Sequence, residues 1–431
     1  MSRFYSTLRS ALATPNGATL GELFDPTSET HARAFALSNN HAQIRSTVTR
    51  ELPSTPHLTP RALATLIDVT VAFWEVTYTL ERGEMGRLPT STGETLGYWG
   101  RAYDAQRTLT NLICRGFTAS GWPSWLLPIL YTTLRTLRSF AIATDAESAK
   151  RTAPNETLED AARHLNKAFT LCLSDRAPLE ESRKWGTYVI MNLLFKTYFK
   201  LNAIALSKNL IRALTASCTD MPPLDAFPKS QVVTYYYYVG VTSFLDEDYP
   251  AAETALGKSL RLCPPTAARN VQQILTYLVP THLITTHQLP AKSLLAAHPQ
   301  LERLFAGICA AVRQGNLRAF EEALQENEAE YVSRRIYLTL ERARDITLRN
   351  LFRRVYLIRE KATRITVDEF RAAMGFSMAG REGGMRKEVE PEECECLIAG
   401  LVYKGLMKGY VSREKGMVVL SGRAAFPGTG V

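Results

Sequence analysis

From Arg61 onward the apolar residues fall at helical spacing. Leu63, Leu66, Ile67, Val71 and Trp74 recur at intervals of three and four, which puts one face of a helix into a core. The same periodicity predicts helices over 98–118, 123–145, 156–174, 182–201 and 203–217. Strand-like alternation is essentially absent until the C-terminus. The first 60 residues are rich in Thr, Ser, Pro and His and close on Pro53, Pro56 and Pro60, a composition that predicts weak helices and an irregular link. Glu81–Gly97, with four glycines, predicts a loop.

One segment carries a repeat signal. Tyr236, Val239, Gly240, Ala252, Leu256 and Pro264 stand at the spacings of a tetratricopeptide-type helical hairpin, with Asp246–Tyr249 as its turn. Gly240 and Ala252 are small enough to let the two helices approach closely. Weaker echoes occur at Ala161, Leu165 and Ala168. Further helices follow over Ala267–Thr285, Leu301–Arg313 and Leu317–Gln325, the last two split by the turn Gln314-Gly315-Asn316. Helix pairs stacked in this way form a solenoid, because no pair can bury its apolar face alone.

The tail changes character. Asp345–Arg359 reads as a basic amphipathic helix, and Thr366–Met374 as a short helix that Thr366 or Asp368 starts. Gly375–Pro391 is a loop rich in glycine and charge (Gly380, Gly383, Gly384). Pro391 then opens a second helix at its first position, where the missing N–H is not needed; its apolar face is Cys394, Leu397, Ile398, Leu401, Val402 and Gly405. Lys408–Ser412 and Met417–Ser421 alternate as strands joined by Arg413-Glu414-Lys415-Gly416, with Gly416 free to take a positive φ. Helix, helix and hairpin make a winged helix. The expected fold is an all-α helical-repeat solenoid capped by that module: an N-terminal segment 1–60, a solenoid 61–330, basic connecting helices 331–364 and the winged helix 365–431.

Composition adjusts this picture only in places. A chain of 431 residues, 45% hydrophobic, can bury a full core. No apolar run approaches the roughly 18 residues that cross a bilayer, and Met1–Phe24 lacks an apolar signal core, so an intracellular protein without a membrane role is expected. Seven scattered cysteines (114, 172, 218, 263, 309, 394, 396) suit reduced thiols better than a disulfide framework. The sequon at Asn155 is then idle.

Charge is concentrated. The net charge is +9, and Tyr331–Arg364 alone holds ten Lys or Arg against three acids, while 365–431 holds nine of each sign. A local basic patch points to an anionic partner more strongly than a diffuse pI does. On Asp345–Arg359, Leu348, Leu351, Phe352 and Val355 share one face, Arg349, Arg353 and Tyr356 line a flank, and Arg354 lies opposite. The following winged helix adds Lys404, Lys408, Arg413 and Lys415. Guanidinium and ring together suit single-stranded nucleic acid, where cations meet phosphate and rings stack on bases. Competing with this reading, the same surface would receive an acidic partner peptide or, as the least favoured alternative, stand idle in solvent. Sequence-specific DNA reading is disfavoured, because Glu392, Glu393 and Glu395 crowd the end of the second helix that would enter the major groove.

Catalytic chemistry finds no foothold. Gly257-Lys258-Ser259 imitates the end of a phosphate-binding loop, yet Ala252 replaces the upstream glycine and no strand precedes it. The histidines (31, 41, 57, 164, 282, 287, 298) form no His-x-His pair, and Cys394-x-Cys396 lacks a second pair for zinc. No Ser or Cys occupies a nucleophile motif. The expectation is a protein without enzyme activity, metal or cofactor. Tyr235–Tyr238, four consecutive tyrosines, are read as packing between neighbouring helices.

Several separated blocks resemble one family. Lys184-Trp185-Gly186, Asn192–Ala205, Val239–Tyr249, Ile274–Pro280, Arg349-Asn350-Leu351-Phe352 and Leu401–Val411 are similar, in order, to PCI-domain proteins. The branch is that of the COP-nine signalosome subunit-twelve homologues, related to the PCI subunit of the TREX-two mRNA-export complex. The likeness runs from about Thr108 to Pro427 and is densest after Lys184, with Arg423-Ala424-Ala425-Phe426-Pro427 in place of the family's Asn-Pro-Phe-Pro ending. It implies a PCI module at approximately 230–425 and a second PCI subunit of the SAC/GANP type as partner. It also implies a small acidic Sem/Dss-type protein, and RNA or DNA bound without sequence preference. The role implied is a scaffold in mRNA biogenesis (transcription, splicing or export), nuclear first and cytoplasmic second. The rival role is a pure assembly subunit of a signalosome or proteasome-lid type particle.

Overall fold

The computed structural model describes residues 2–28, 32–37, 41–52, 54–84, 97–148, 155–217, 220–379 and 389–429. Pro53, Cys218, the core of the glycine loop at 85–96, and Gly380, Gly383 and Gly384 lie outside the described residues. The chain forms two compact units, Met1–Tyr238 and Val239–Val431.

Unit 1 holds α1 (Ser2–Ala13), α2 (Gly17–Leu23), α3 (Ala32–Leu37), α4 (Ile44–Glu51), α5 (Pro60–Glu84), α6 (Tyr98–Ala119), α7 (Leu127–Ser148), α8 (Glu156–Leu173), α9 (Thr187–Lys200) and α10 (Ile204–Ala216). α11 (Lys229–Leu245) carries the chain across the unit boundary. The long helices α5 to α9 pack successively, each on the next. The N-terminal segment is no separate element. Phe4 stacks on Phe35 with ring centroids 4.0 Å apart, and Phe24 meets Phe73 of α5 at 5.0 Å, so four short helices close over the core of the same unit. They are the weak helices expected there, short enough that each contributes only a few buried residues. α5 also corrects an expectation: over Pro60–Arg82 it is long and apolar enough to cross a membrane. Its apolar residues are satisfied within the unit instead, with Leu66, Val69, Phe73, Trp74 and Val76 all buried.

The Lys184-Trp185-Gly186 block is a clamp at the entrance to α9. Asp175, 6% exposed, accepts from the Arg183 backbone N–H at 2.7 Å and from Ser182 Oγ at 3.0 Å, and pairs with the Arg183 guanidinium. Lys184 Nζ donates to the Asp220 carbonyl at 3.0 Å and Trp185 Nε1 to that of Leu179 at 2.7 Å. Burial alone would raise the Asp175 carboxyl, but the Arg183 and Ser182 hydrogen bonds and the Arg183 charge hold it down at about 2.

Unit 2 holds α12 (Tyr249–Leu262), α13 (Ala268–Thr285), α14 (Lys292–Ala296), α15 (Pro299–Gln314), α16 (Leu317–Glu326), α17 (Glu328–Ser333), α18 (Tyr337–Glu341) and α19 (Arg344–Ile358). It ends with β1 (Arg364–Thr366), α20 (Val367–Met378), α21 (Pro391–Tyr403), β2 (Gly409–Ser412) and β3 (Met417–Leu420). The repeat hairpin is as expected. Asp248 caps α12 by accepting from Ala251 N–H at 3.1 Å, and a Cβ on Gly240 would stand 2.6 Å from Leu256 Cγ. Gly257-Lys258-Ser259 lies inside α12 with Ser259 buried, which fits a packing role.

The winged helix differs from the sequence reading in three respects. α20 runs one turn further, to Met378, because Ser377 is engaged: its Oγ accepts from Leu317 N–H at 2.8 Å and donates to the Gly315 carbonyl at 3.2 Å. Gly405 is not part of the apolar face; at φ +69° it ends α21 in the left-handed conformation, and Leu406 and Met407 take the buried places. The sheet has three strands, not two, in the order β1-β3-β2, all antiparallel. Three residues of β1 are too few to show an alternation.

These clamps make two predictions. Gly315 sits at φ +65°, and a Cβ there would lie 2.5 Å from Leu351 N of α19, so Gly315→Ala should cost roughly 2–4 kcal/mol. Circular dichroism during urea unfolding measures this. The Asp175 carboxyl is depressed in the fold, so its contribution is complete above the unfolded value near 3.8 and vanishes as pH falls toward 2. Asp175→Asn should remove about 2 kcal/mol at pH 7 and flatten the acid limb as pH falls from about 5 to 2. All five tryptophans (Trp74, Trp99, Trp122, Trp125, Trp185) belong to unit 1, so indole fluorescence isolates this effect.

Candidate nucleic-acid interface

α19 is the element on which the sequence placed half of the site, Arg349, Arg353, Arg354 and Tyr356. Leu348 and Phe352 are buried and Leu351 and Val355 partly so, as the periodicity required. The buried face is broader than one stripe, however, because α19 packs against α15 and α16 as well as against α20. Two of the expected surface residues are therefore internal. Arg349 is 4% exposed, with Nε and Nη2 donating to Asn350 Oδ1 at 3.2 and 3.1 Å and Nη1 buried without an acceptor. Burial, with Arg353 nearby, lowers its pKa. Tyr356 is buried against Phe426, ring centroids 5.6 Å apart, and presents no face to a base.

The other six sites divide. Arg353 is half-buried, donating weakly to the Thr429 carbonyl at 3.4 Å, with Nε enclosed. Lys404, at the end of α21, is exposed but ion-paired with Asp345 in the first turn of α19. Arg413 is largely exposed and stands 3.6 Å from Glu395, a distance at which an exposed pair contributes little. Arg354, Lys408 and Lys415 are exposed, and among the described residues none of them pairs with an acid. The +7 segment is also partly neutralised, mostly from outside itself: Arg334 by Glu330 at 2.7 Å, Arg342 by Glu247 at 2.7 Å, Arg344 by Glu321 at 3.4 Å and Arg359 by Glu369 at 3.0 Å. The available charge thus lies less on the helix than on the wing.

There the fold assembles something the sequence did not show. Arg364 faces Val419 in the β1–β3 ladder and Tyr410 faces the same Val419 in the β2–β3 ladder, so all three share the outer side of the sheet. Ile365, Val418 and Leu420 alternate onto the inner side and are buried. Lys408 lies opposite Ser421, its carbonyl accepting from Ser421 N–H at 2.9 Å and its own N–H donating to the Ala425 carbonyl at 2.8 Å. Two residues from Tyr410 in an extended strand, it emerges on the same side. Tyr410, 63% exposed, has Lys408 two residues away along the chain, and Arg364 stands on the same face of the far strand, with Val419 between them. Lys361 joins this exposed set just before β1. Arg364 escaped notice because β1 did; Tyr410 fell within the expected hairpin strand 408–412 and was given no role there. The family's altered ending does not disturb the site, since Ala425 and Phe426 are buried beneath it. Among the described residues no cluster of three or more His, Cys, Asp or Glu could hold a metal ion.

Comparisons with known proteins agree with this architecture. A family model described as the PCI domain matches residues 324–421, the interval from the end of α16 to the end of β3. "Protein CSN12 homolog" of Neurospora crassa is 46% identical over 394 residues, covering 84% of each chain. Its namesake in Schizosaccharomyces pombe is 37% identical over 337 residues, 76% of this chain and 77% of that protein. "PCI domain-containing protein 2" of Xenopus laevis is 35% identical over 329 residues, 76% of this chain and 79% of that one.

The two tyrosines with contrasting placements give a direct check. Tyr356→Ala should lower stability by about 3–5 kcal/mol by emptying the core beneath the sheet. Tyr403→Ala, at a side chain 92% exposed, should stay within about 0.5 kcal/mol of the parent. Urea unfolding followed by circular dichroism at a helical wavelength measures both.

Proposed function

We propose, since this chain belongs to the PCI-domain family of CSN12 homologues, that it is a non-catalytic scaffold subunit whose winged helix engages single-stranded RNA or DNA during mRNA biogenesis. The observation that carries the reading is the outer face of the wing: a solvent-exposed tyrosine with Lys408 near it along its strand and Arg364 on the same face one strand beyond Val419, above a sheet whose other face is core. Rings accept any base and lysine or arginine accepts any phosphate, so such a face binds without a sequence code. The acidic start of α21 agrees, since Glu392 and Glu393 are exposed where a major-groove reader would need neutrality or positive charge. The stacked helices below hold this face in place and offer it to a heterocomplex containing a second PCI subunit and a small acidic Sem/Dss-type protein, in the nucleus.

A second reading has its own support. Leu338 and Val332 are 65% and 55% exposed close to the basic Arg335, a mixture that suits an acidic, partly apolar polypeptide. On this reading the chain is an assembly subunit without nucleic-acid contact.

The two readings separate in a binding measurement on the full chain with fluorescent single-stranded RNA. Changing Arg364, Lys408 and Lys415 together to Glu should weaken binding at least tenfold. It should also reduce the slope of log affinity against log salt by roughly 2, at about 0.7 for each phosphate no longer neutralised. Equal affinity and equal slope for variant and parent would reject the wing as the binding face, and a parent that binds no RNA at all would leave the assembly role standing.

A further inference from the structure

Unit 1 carries a second cationic surface. α7 contributes Arg135 and Arg138, three residues apart, and α9 contributes Lys196 and Lys200, four apart, so each pair shares one face of its helix. The two helices pack together, and Arg138 bridges them: its Nε donates to Thr197 Oγ1 and its Nη2 to the Lys196 carbonyl, both at 3.1 Å. Arg135, Lys196 and Lys200 are exposed. Among the described residues none of the four pairs with a carboxylate, whereas Arg45, Arg107 and Arg163 of the same unit all do. Partial burial together with Arg138 and Arg135 lowers the Lys196 pKa, and burial lowers that of Arg138. Like charges held this close without an acid between them destabilise the fold unless an anion arrives.

Aromatic rings sit among these cations. Phe199 falls three residues after Lys196 and one before Lys200, and packs on Tyr238 with centroids 5.0 Å apart; Tyr238 in turn stacks on buried Phe195 at 5.3 Å. Phe199 and Tyr238 are both half-buried, so each is braced from below and reaches the surface. We propose that this face of unit 1 is a second binding surface for single-stranded nucleic acid, with Arg135, Arg138, Lys196 and Lys200 on the phosphates and a base laid against Phe199 and Tyr238. The class of ligand rests on the reading of the wing; the site itself stands on separate residues in a separate unit. An acidic peptide would use the cations and leave the rings idle.

The experiment measures fluorescent single-stranded RNA binding to four full-length proteins. These are the parent, Arg135→Gln/Lys196→Gln/Lys200→Gln, Phe199→Leu, and the Glu-substituted wing variant. Arg138 is left intact because it joins two helices. The triple Gln variant should bind at least tenfold more weakly with a salt slope lower by roughly 2, and Phe199→Leu about fivefold or more weakly with the slope unchanged. An abasic oligomer of equal charge should lose the Phe199 effect. Should the Gln variant match the parent while the wing variant fails, this inference falls and the wing reading stands. The opposite pattern removes the wing and keeps this site, and two unchanged variants remove both. Competition by poly-glutamate as effective as by RNA of equal charge would assign the face to an acidic polypeptide and overturn the proposal.

Discussion

The C-terminal half depends on one close approach, the seating of α19 on the turn between α15 and α16. The Gly315 backbone lies so near Leu351 that no side chain fits between them. Asn350 Nδ2 donates to the Val312 carbonyl at 2.7 Å, which also accepts from Gly315 N–H at 3.2 Å at the end of α15. From the same turn, Asn316 caps α16 through Ala319 N–H at 3.0 Å, and Ser377 ties in the last turn of α20. Leu317 of α16 then shares a core with Phe352, Phe370, Ile398 and Val418. The winged helix is therefore built onto the last repeat and shares its apolar interior. That is a physical reason for a family signature beginning at residue 324, within α16.

This seating redistributes the charge. A helix packed on one side exposes most of its polar residues; one packed on two sides does not. α19 is of the second kind, so Arg349 goes inside, where its stem and guanidinium plane fill space beside Asn350, and Tyr356 becomes core under Phe426. The surrounding arginines meet glutamates contributed mostly by other helices, which a count restricted to 331–364 cannot see. What survives as exposed cationic surface is displaced to β1, β2 and the wing turn, where a thin sheet has only one face to bury.

The fold was legible for reasons specific to helices. Their period reveals the apolar stripe within a dozen residues, so α5 to α9, α12, α13 and α15 stand close to where the spacing put them. Turns with a stereochemical demand were equally readable: Gly416 at φ +58° and Gly315 at φ +65° are both left-handed as required. β1 was not legible, because three residues cannot establish a period. α1 to α4 were legible only as weak helices, because short helices show little periodicity. The site fared worse than the fold. Lys408 and Lys415 were identified from a strand pattern that needs no tertiary information. Arg349 and Tyr356 were misplaced because helical spacing names the faces of a helix without saying how many are covered. Arg364 and Tyr410 come to opposite sides of Val419 on one face, and the four cations of α7 and α9 come together, only after strands pair and helices pack.

Both proposed cationic faces are built mainly of exposed side chains, and that decides what kind of recognition they can support. At physiological ionic strength an exposed charge is felt over about 8 Å, so isolated lysines on such a surface hold a phosphate loosely and release it quickly. A stacked base adds about 1–3 kcal/mol, and on the proposed reading Tyr410 on the wing and Phe199 with Tyr238 on the helices are the platforms. A single face of this type gives weak, salt-sensitive and sequence-tolerant binding. Affinity then grows when several faces hold one strand, because the second attachment is made at a high local concentration set by the first. A scaffold of stacked helices suits that arrangement. On the proposed reading, a flexible polyanion is held by the number of such attachments while remaining free to be passed on.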